Sequence, residues 1–202
     1  MSDCDCEVEA KNEEQKRVLV WLLAINGAMF VVELVLGLLA QSTGLIADSL
    51  DMLADATVYA IGLWAVGRAV SAKARAALTS GVAQIALALF VGGDVARRAV
   101  TGSEPVSWLM IGVGLVALVA NVICLTLIAK HRDGEVHMRA SWIFSKNDVL
   151  ANLGVVASGV LVMVLESRIP DLVIGAAIAF LVMRGGIHIV KDARGELAAR
   201  PS

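Results

Sequence analysis

The chain has 202 residues, of which 58% are hydrophobic and 18% charged, and its mean hydropathy is +0.77. Soluble domains are about 45–50% apolar and about 25% charged, so this composition indicates a membrane protein. The formal net charge is −2 and the basic residues are dispersed, which argues against a nucleic-acid partner. The chain also starts with acidic residues, so it lacks the basic and then apolar pattern of a cleaved signal peptide.

Six apolar stretches follow one another along the chain, joined by short connections. Each reaches the ~20 residues that a helix needs to cross ~30 Å of hydrocarbon. They cover residues 17–40, 44–67, 76–100, 105–130, 138–165 and 170–191. The sequence therefore predicts an all-α membrane protein, with a six-helix domain over residues 17–192, a flexible cytoplasmic tail over 1–16 and a short cytoplasmic tail over 193–202.

The charges of the connections predict the orientation, because loops that remain in the cytoplasm carry an excess of Lys and Arg. With six spans, both termini lie on the side that holds most of the basic residues. That side has Lys11, Lys16, Arg17, Arg68, Lys73, Arg75, Lys130, Arg132, Arg139, Lys191, Arg194 and Arg200, and the other has Arg97, Arg98 and Arg168. Both termini are therefore expected in the cytoplasm, with the protein in the bacterial inner (plasma) membrane.

The second stretch carries three carboxylates where a membrane span usually has none. At 100° per residue Asp48, Asp51 and Asp55 fall within about 60° of one another, so they form one acidic stripe. A charge at mid-bilayer costs roughly 2.5–3.5 kcal/mol, and such residues usually face a protein interior or a watery cavity. A soluble amphipathic helix would explain one such segment alone, but not the five other apolar stretches. The stripe indicates a cation pathway.

The fifth stretch carries a second polar stripe, with Ser141, Ser145, Asp148 and Asn152 at i, i+4, i+7 and i+11. If it faces the acidic stripe, it completes a cage of oxygen ligands. Two carboxylates from one helix and one from another suit a divalent cation, because their charge offsets the dehydration of the ion. The Ser and Asn side chains could equally form hydrogen bonds between helices.

The run GLIADSLDMLADA resembles the second-span signature of the cation diffusion facilitators. In that family two acidic or histidine residues four apart are followed by a matching pair in the fifth span. The resemblance places Asp51 and Asp55 in the first pair and Asp148 as the second member of the second pair. It thus implies that these three residues hold the transported metal.

The resemblance extends over essentially the whole membrane region. Asn26 and Glu33 in INGAMFVVELVLG sit where the first span of the family has Asn and Glu, and Asn121 matches the Asn of its fourth span. IPDLVIGAAIAFLVMRGGIHIVKDARGEL resembles the sixth span and its exit. The buried Glu33 is expected to support the metal ligands or to transfer protons, and the two Asn residues to support the site or to tie helices together.

This sequence departs from the family pattern at two places. The position four residues before Asp148 is Phe144, which cannot bind a metal, so the fourth ligand is open. Asn147, Ser145 or water could substitute, or Asp48 could compensate from the second span. The chain also stops near residue 202, where most members append a cytoplasmic domain, so only the transmembrane domain is expected here.

The acidic start contains a Cys-x-Cys pair, Cys4 and Cys6. Thiolates bind soft or borderline metal ions, so these residues could capture metal at the cytoplasmic mouth, although an accidental pair of Cys in a disordered tail explains them as well. The pair is expected to be reduced and to face the cytoplasm.

A function follows from the acidic cage and the lack of a G-x-x-x-x-G-K-[ST] loop for ATP. The cage can bind either a dication or protons, so we expect a secondary active transporter that exports divalent transition metals by proton antiport with alternating access. Zinc is the expected cation, and cadmium, cobalt, manganese and iron also fit oxygen ligands. No cofactor is expected, and the family resemblance implies a homodimer.

Two other functional classes fit the sequence less well. One is a cation channel or a pore-forming metal-binding membrane protein without proton coupling, in which the carboxylates only attract cations. The other is an intramembrane enzyme, for which the sequence has no His-Glu-x-x-His motif and no nucleophile with a base. We therefore expect that the protein is not an enzyme.

Overall fold

The computed structural model describes residues 2–65, 70–130 and 136–199. Within these ranges all regular secondary structure is helical, and the predicted six-helix, all-α architecture is confirmed. In the described part of the chain five helices are long and apolar enough to cross a membrane, and the other, α2, has three Asp in a similar length. The helices are α1 (Ser2–Leu39), α2 (Thr43–Ala65), α3 (Val70–Thr101), α4 (Ser107–Ala129), α5 (Val136–Leu165) and α6 (Ile169–Ala199).

The first and last helices are longer than the apolar stretches from which they were predicted. α1 begins at Ser2 and α6 continues to Ala199, so both include residues that the sequence analysis assigned to tails. The added segments are rich in Glu, Ala, Lys and Arg, which are good helix formers. Apolar patterning locates the part of a helix that crosses the membrane, whereas propensity continues the helix beyond it. The side chains of Cys4 and Cys6 lie outside the described residues.

The acidic helix α2 lies in the middle of the bundle and contacts each of the five other helices. Residues 43–50 are buried without interruption, which is uncommon for a helix at a protein surface. The largest contacts divide the six described helices into three pairs, in which α1 packs on α2, α4 on α5, and α3 on α6. In this position the other helices shield the carboxylates of α2 from lipid.

Consecutive helices run in opposite directions, so the bundle has two ends. We call the end at which α2 stops, at Ala65, and α5 begins, at Val136, the terminal end, because α1 also begins and α6 also finishes there. The opposite end holds the turns around residues 40–42, 102–106 and 166–168.

Small residues allow close approach between α3 and α6. A Cβ atom added to Gly186 would lie 3.0 Å from the carbonyl oxygen of Gly81, which is tighter than nine in ten real Cβ contacts. Backbones that approach over small residues gain van der Waals contact, which is a main source of helix association in membranes.

At the opposite end, the first turn of α2 is held by a carboxylate from α6. Asp171 is fully buried and accepts hydrogen bonds from the hydroxyls of Ser42 (2.6 Å) and Thr43 (2.7 Å) and from the backbone N–H groups of Thr43 (2.7 Å) and Gly44 (2.9 Å). The first N–H groups of a helix lack partners within the helix, and its dipole favours negative charge there. A Cβ at Gly175 would lie 2.9 Å from Thr43, so the two helices meet closely at this cap.

A buried arginine ties the turn between α1 and α2 to α3. Arg98 is 7% exposed, donates to Asp94 at 2.6 Å and donates to the carbonyl oxygen of Gln41. Gln41 has φ = +51°, so this contact fixes a residue in the left-handed region. Arg97 also pairs with Asp94, and the two basic residues of this end of α3 are therefore both bound to one carboxylate.

We predict that Asp171→Ala lowers the free energy of unfolding by about 3 kcal/mol, because four buried donors lose a charged acceptor. Asp171→Asn keeps one acceptor oxygen and should have a smaller effect. The measurement is unfolding by sodium dodecyl sulfate in mixed micelles. Asp192→Ala is the control, because this carboxylate of α6 is exposed and contacts His188 at 3.3 Å. Equal stabilities of Asp171→Ala and Asp192→Ala would contradict the structural role of the cap.

Candidate metal centre

The three Asp residues of α2 lie on successive turns that face the interior of the bundle. Asp48 and Asp55 are 1% and 6% exposed, and Asp51 is partly buried. The interior is the environment that the acidic stripe predicts for charged groups within a membrane span. α2 can offer this environment to all three because it is enclosed by other helices.

Asp55 of α2 and Asp148 of α5 form an opposed carboxyl pair. Their carboxyl groups lie within hydrogen-bonding reach of each other, and Asp51 is near enough to interact electrostatically with both. Asp148 is 5% exposed, and its Oδ2 atom has no hydrogen-bond donor in the described part of the chain. The sequence-predicted residues Asp51, Asp55 and Asp148 therefore meet at the interface of α2 and α5.

A second carboxyl pair joins α1 to α2. The carboxyl group of Glu33 lies within hydrogen-bonding reach of Asp48, and Glu33 is fully buried. Neither oxygen of Glu33 receives a hydrogen bond from another described group, and the same holds for Oδ2 of Asp48. Glu33 thus faces the acidic stripe, in the neighbourhood that the family resemblance implied.

The acidic groups are not arranged as one closed cage in this conformation. Over residues 2–65, 70–130 and 136–199, no three His, Cys, Asp or Glu side chains converge closely enough to hold one ion. Nor does any described Lys, Arg or His form an ion pair with these carboxyl groups. The arrangement is two opposed pairs with Asp51 between them.

The structure adds a residue that sequence reasoning missed. Tyr59 is fully buried, its hydroxyl donates to Oδ2 of Asp55 at 3.2 Å, and its oxygen lies 3.4 Å from Oγ of Ser145. Tyr59 is the single tyrosine of the chain and lies four residues after Asp55, which is the spacing that places two side chains on one helix face. That spacing is the signal in the sequence that points to Tyr59, although the surrounding residues form an apolar stretch.

The other candidates on α5 separate into buried and exposed residues. Ser145 is fully buried next to Tyr59, and the Asn152 amide donates to the carbonyl oxygen of Asp148 at 2.8 Å. Asn147 is exposed, so the structure does not bring its amide to Asp148; one residue along a helix is a rotation of about 100°. The side chains of Ser141 and Phe144 lie outside the described residues.

The two Asn residues suggested by the family resemblance are both buried between helices. The Asn26 amide donates to the carbonyl oxygen of Leu22 at 2.9 Å and to the sulfur of Cys124 at 3.8 Å, which connects α1 to α4. Asn121 is 1% exposed, and its amide nitrogen has no partner among the described groups. The contacts of Asn26 favour a role in holding helices together.

The fold and these buried acid pairs define an integral membrane protein with an acidic interior, a class that includes membrane cation transporters. A family model described as the cation efflux transmembrane domain matches residues 19–198. The chain therefore belongs to the cation efflux family, which is the cation diffusion facilitator family that the motifs resemble. Its members are membrane transporters rather than enzymes, so the corresponding expectation is confirmed.

Several curated proteins are similar over most of the chain. The "cadmium, cobalt and zinc/H(+)-K(+) antiporter" of Bacillus velezensis is 23% identical over 197 residues, which are 91% of this chain and 63% of the relative. The zinc transporter ZitB of Yersinia pseudotuberculosis is 21% identical over 201 residues, 93% of this chain and 64% of the relative. The vacuolar zinc transporter ZRC1 of Saccharomyces cerevisiae is 29% identical over 133 residues, 59% of this chain and 30% of the relative. The chain thus spans less than two thirds of the length of these relatives.

We predict that Asp148→Ala weakens Zn²⁺ binding by at least about tenfold, because the carboxylate opposed to Asp55 is lost. Isothermal titration calorimetry of the protein in lipid nanodiscs measures the affinity. Asn147→Ala is the matched control on the adjacent, exposed position of α5 and should bind as the wild type does. Wild-type affinity in Asp148→Ala would exclude this carboxylate as a ligand.

Proposed function

We propose that the protein is a secondary active transporter that exports divalent transition-metal cations from the cytoplasm in exchange for protons. The observation that carries this proposal is the opposed pair of Asp55 and Asp148 from two different helices, without a basic partner among the described residues. Uncompensated charge is costly in a low-dielectric interior. One dication, or two protons, neutralises such a pair, so the same site can carry either and can exchange one for the other.

The proposed ligands are Asp51, Asp55 and Asp148, with Asp48 and Ser145 as further candidates. Asp51 lies near enough to both members of the pair for a modest movement of α2 against α5 to bring in a third carboxylate. Such a movement is the kind that alternating access requires. The exposed Asn147 is the weakest of the ligand candidates, because its side chain lies on another face of the helix.

The Glu33–Asp48 pair is proposed to transfer protons beside the metal ligands. It is buried, belongs to a different helix interface from Asp55 and Asp148, and interacts electrostatically with Asp51.

In the same proposal, Asn26 and Asn121 hold α1 and α4 around the site, and Cys4 and Cys6 capture metal near the mouth. The family resemblance also supports a homodimer.

Zinc is the proposed principal cation, with cadmium and cobalt next. The support comes from relatives named for the transport of these three ions, and from the oxygen ligands, which all three metals accept. The name of the Bacillus velezensis relative includes protons as a counter-ion, which supports the proposed antiport.

We predict that an inward zinc gradient drives proton efflux from proteoliposomes that contain the protein, and that Asp51→Ala, Asp55→Ala and Asp148→Ala each abolish both fluxes. Asp148→Asn preserves shape and removes a titratable charge, so it should lose proton flux more than metal binding. A pH-sensitive dye and a zinc indicator inside and outside the vesicles report the two ions.

Asn147→Ala at equal protein level is the control for this experiment. Zinc flux without a counterflow of protons would favour a channel over an antiporter. Wild-type zinc flux in Asp51→Ala and Asp148→Ala would show that the carboxylates are not the transport site.

The proposed orientation places the terminal end of the bundle in the cytoplasm of a bacterial cell, with the protein in the inner membrane. The basic residues of the connections are concentrated at that end. Arg97 and Arg98, which depart from this asymmetry, both pair with Asp94, so much of their charge is compensated locally. The two arginines remain an exception to the charge asymmetry, which is still twelve basic residues against three.

We predict that a membrane-impermeant maleimide labels Glu104→Cys but not Asp192→Cys in intact cells, because the two exposed positions lie at opposite ends of the bundle. Both variants carry Ala in place of Cys4, Cys6 and Cys124. Permeabilised cells, in which both sites should react, provide the control for expression and reactivity. Labelling of Asp192→Cys alone in intact cells would invert the orientation.

A further inference from the structure

We propose that the hydroxyl groups of Tyr59 and Ser145 form a latch between α2 and α5, and that this latch must open before a cation reaches the carboxyl pair from the terminal end. The latch is the contact of 3.4 Å between Tyr59 Oη and Ser145 Oγ. The direction of ion entry rests on the proposed function, whereas the existence of the latch does not.

The latch lies directly on the terminal side of the carboxyl pair. Tyr59 follows Asp55 by four residues on α2, and Ser145 precedes Asp148 by three residues on α5. Because α2 runs toward the terminal end and α5 runs away from it, Tyr59 and Ser145 are attached to their helices about one turn, or ~5 Å, closer to that end than Asp55 and Asp148, and the Tyr59 hydroxyl reaches back to 3.2 Å from Oδ2 of Asp55. An ion that moves from the terminal end to the pair must pass them.

Packed apolar side chains surround the latch. The ring of Tyr59 belongs to a buried cluster with Leu19 and Leu22 of α1 and Cys124 and Ile128 of α4. Tyr59 is 0% exposed and is the largest fully buried side chain among the described residues. A hydrated cation does not cross such a dry layer, and hydrophobic constrictions of this kind close pores. In this conformation the described side chains of this cluster therefore fill the terminal approach at the level of Tyr59.

The hydrogen bonds that the two hydroxyls can form show which contact breaks when the latch opens. A tyrosine hydroxyl has one proton to donate and can also accept, and a serine hydroxyl can do the same. Tyr59 donates to Asp55 within α2, which leaves its oxygen free to accept the proton of Ser145 from α5. Separation of α2 from α5 breaks the contact with Ser145 and leaves the contact with Asp55 intact. The link between the helices is thus the Ser145 contact.

Two simpler roles for Tyr59 give different expectations. If the ring only fills the core, Phe at this position would serve equally well. If the hydroxyl only orients Asp55, the loss of the Ser145 hydroxyl would have no effect on access from the terminal end. The latch requires both hydroxyls.

Cys124 provides a native reporter for the opening of the terminal end. It is fully buried and lies in the same cluster as Tyr59. In a background with Cys4→Ser and Cys6→Ser, the rate at which a small charged methanethiosulfonate modifies Cys124 measures how often the cluster opens to water. The reagent is applied separately to each face of proteoliposomes of known orientation.

We expect Tyr59→Phe and Ser145→Ala each to raise the modification rate by about fivefold from the terminal face only, which corresponds to about 1 kcal/mol, the net contribution of one buried hydrogen bond. The double variant should be no faster than the faster single variant, because both changes break the same contact. Thr57→Val is the matched control: this α2 hydroxyl donates to the carbonyl oxygen of Leu53 at 2.8 Å, and its removal should leave the rate unchanged.

An increase in Tyr59→Phe with no increase in Ser145→Ala would overturn the latch and leave Tyr59 as a residue that positions Asp55. Multiplicative increases in the double variant, or equal acceleration by Thr57→Val, would overturn it as well. Thermal unfolding of each variant identifies any that is misfolded, and Ser145→Ala, which removes one oxygen, tests the latch even if Tyr59→Phe does not fold. The modification rate requires no transport, so the absence of proton-coupled zinc flux would defeat the proposed function without affecting this test.

Discussion

Three carboxylates on one membrane helix impose the constraint on which the rest of this structure depends. Lipid cannot solvate them, so α2 has to be enclosed by protein, and its contacts with all five other helices meet that requirement. The burial of Asp48 and Asp55 follows from this central position. Glu33 of α1 and Asp148 of α5 lie in the same interior, where they form opposed pairs with Asp48 and Asp55 of α2.

The two ends of α2 are held with very different strength. At the opposite end Asp171 accepts four short hydrogen bonds, of 2.6–2.9 Å, from the start of the helix, and Arg98 fixes the preceding turn. Toward the terminal end, the hydroxyls of Tyr59 on α2 and Ser145 on α5 approach only to 3.4 Å. The proposed opening of the latch would therefore move the terminal part of α2 while its capped end stays in place.

Much of this arrangement could be read from the sequence. Helical spacing determined that Asp48, Asp51 and Asp55 share a face, and the apolar stretches located six helices, five of which in the described part of the chain are apolar enough to cross a membrane, because both properties depend on residues close in the chain. The motif around Asp51 and Asp55 and the matching Asp148 also identified the family that the comparison confirmed. The ends of the helices were predicted less accurately, since α1 and α6 continue through polar residues beyond the apolar stretches.

The contacts between helices were decided by the tertiary structure alone. Local spacing cannot show that Tyr59 meets Ser145, that Glu33 faces Asp48, or that Asp171 caps a helix that begins 128 residues earlier in the chain. These contacts depend on the rotation and packing of whole helices, which are set by many side chains together. The sequence by itself determined which side chains carry charge and which helix face they share, and the packing of six helices decided which of those charges oppose one another.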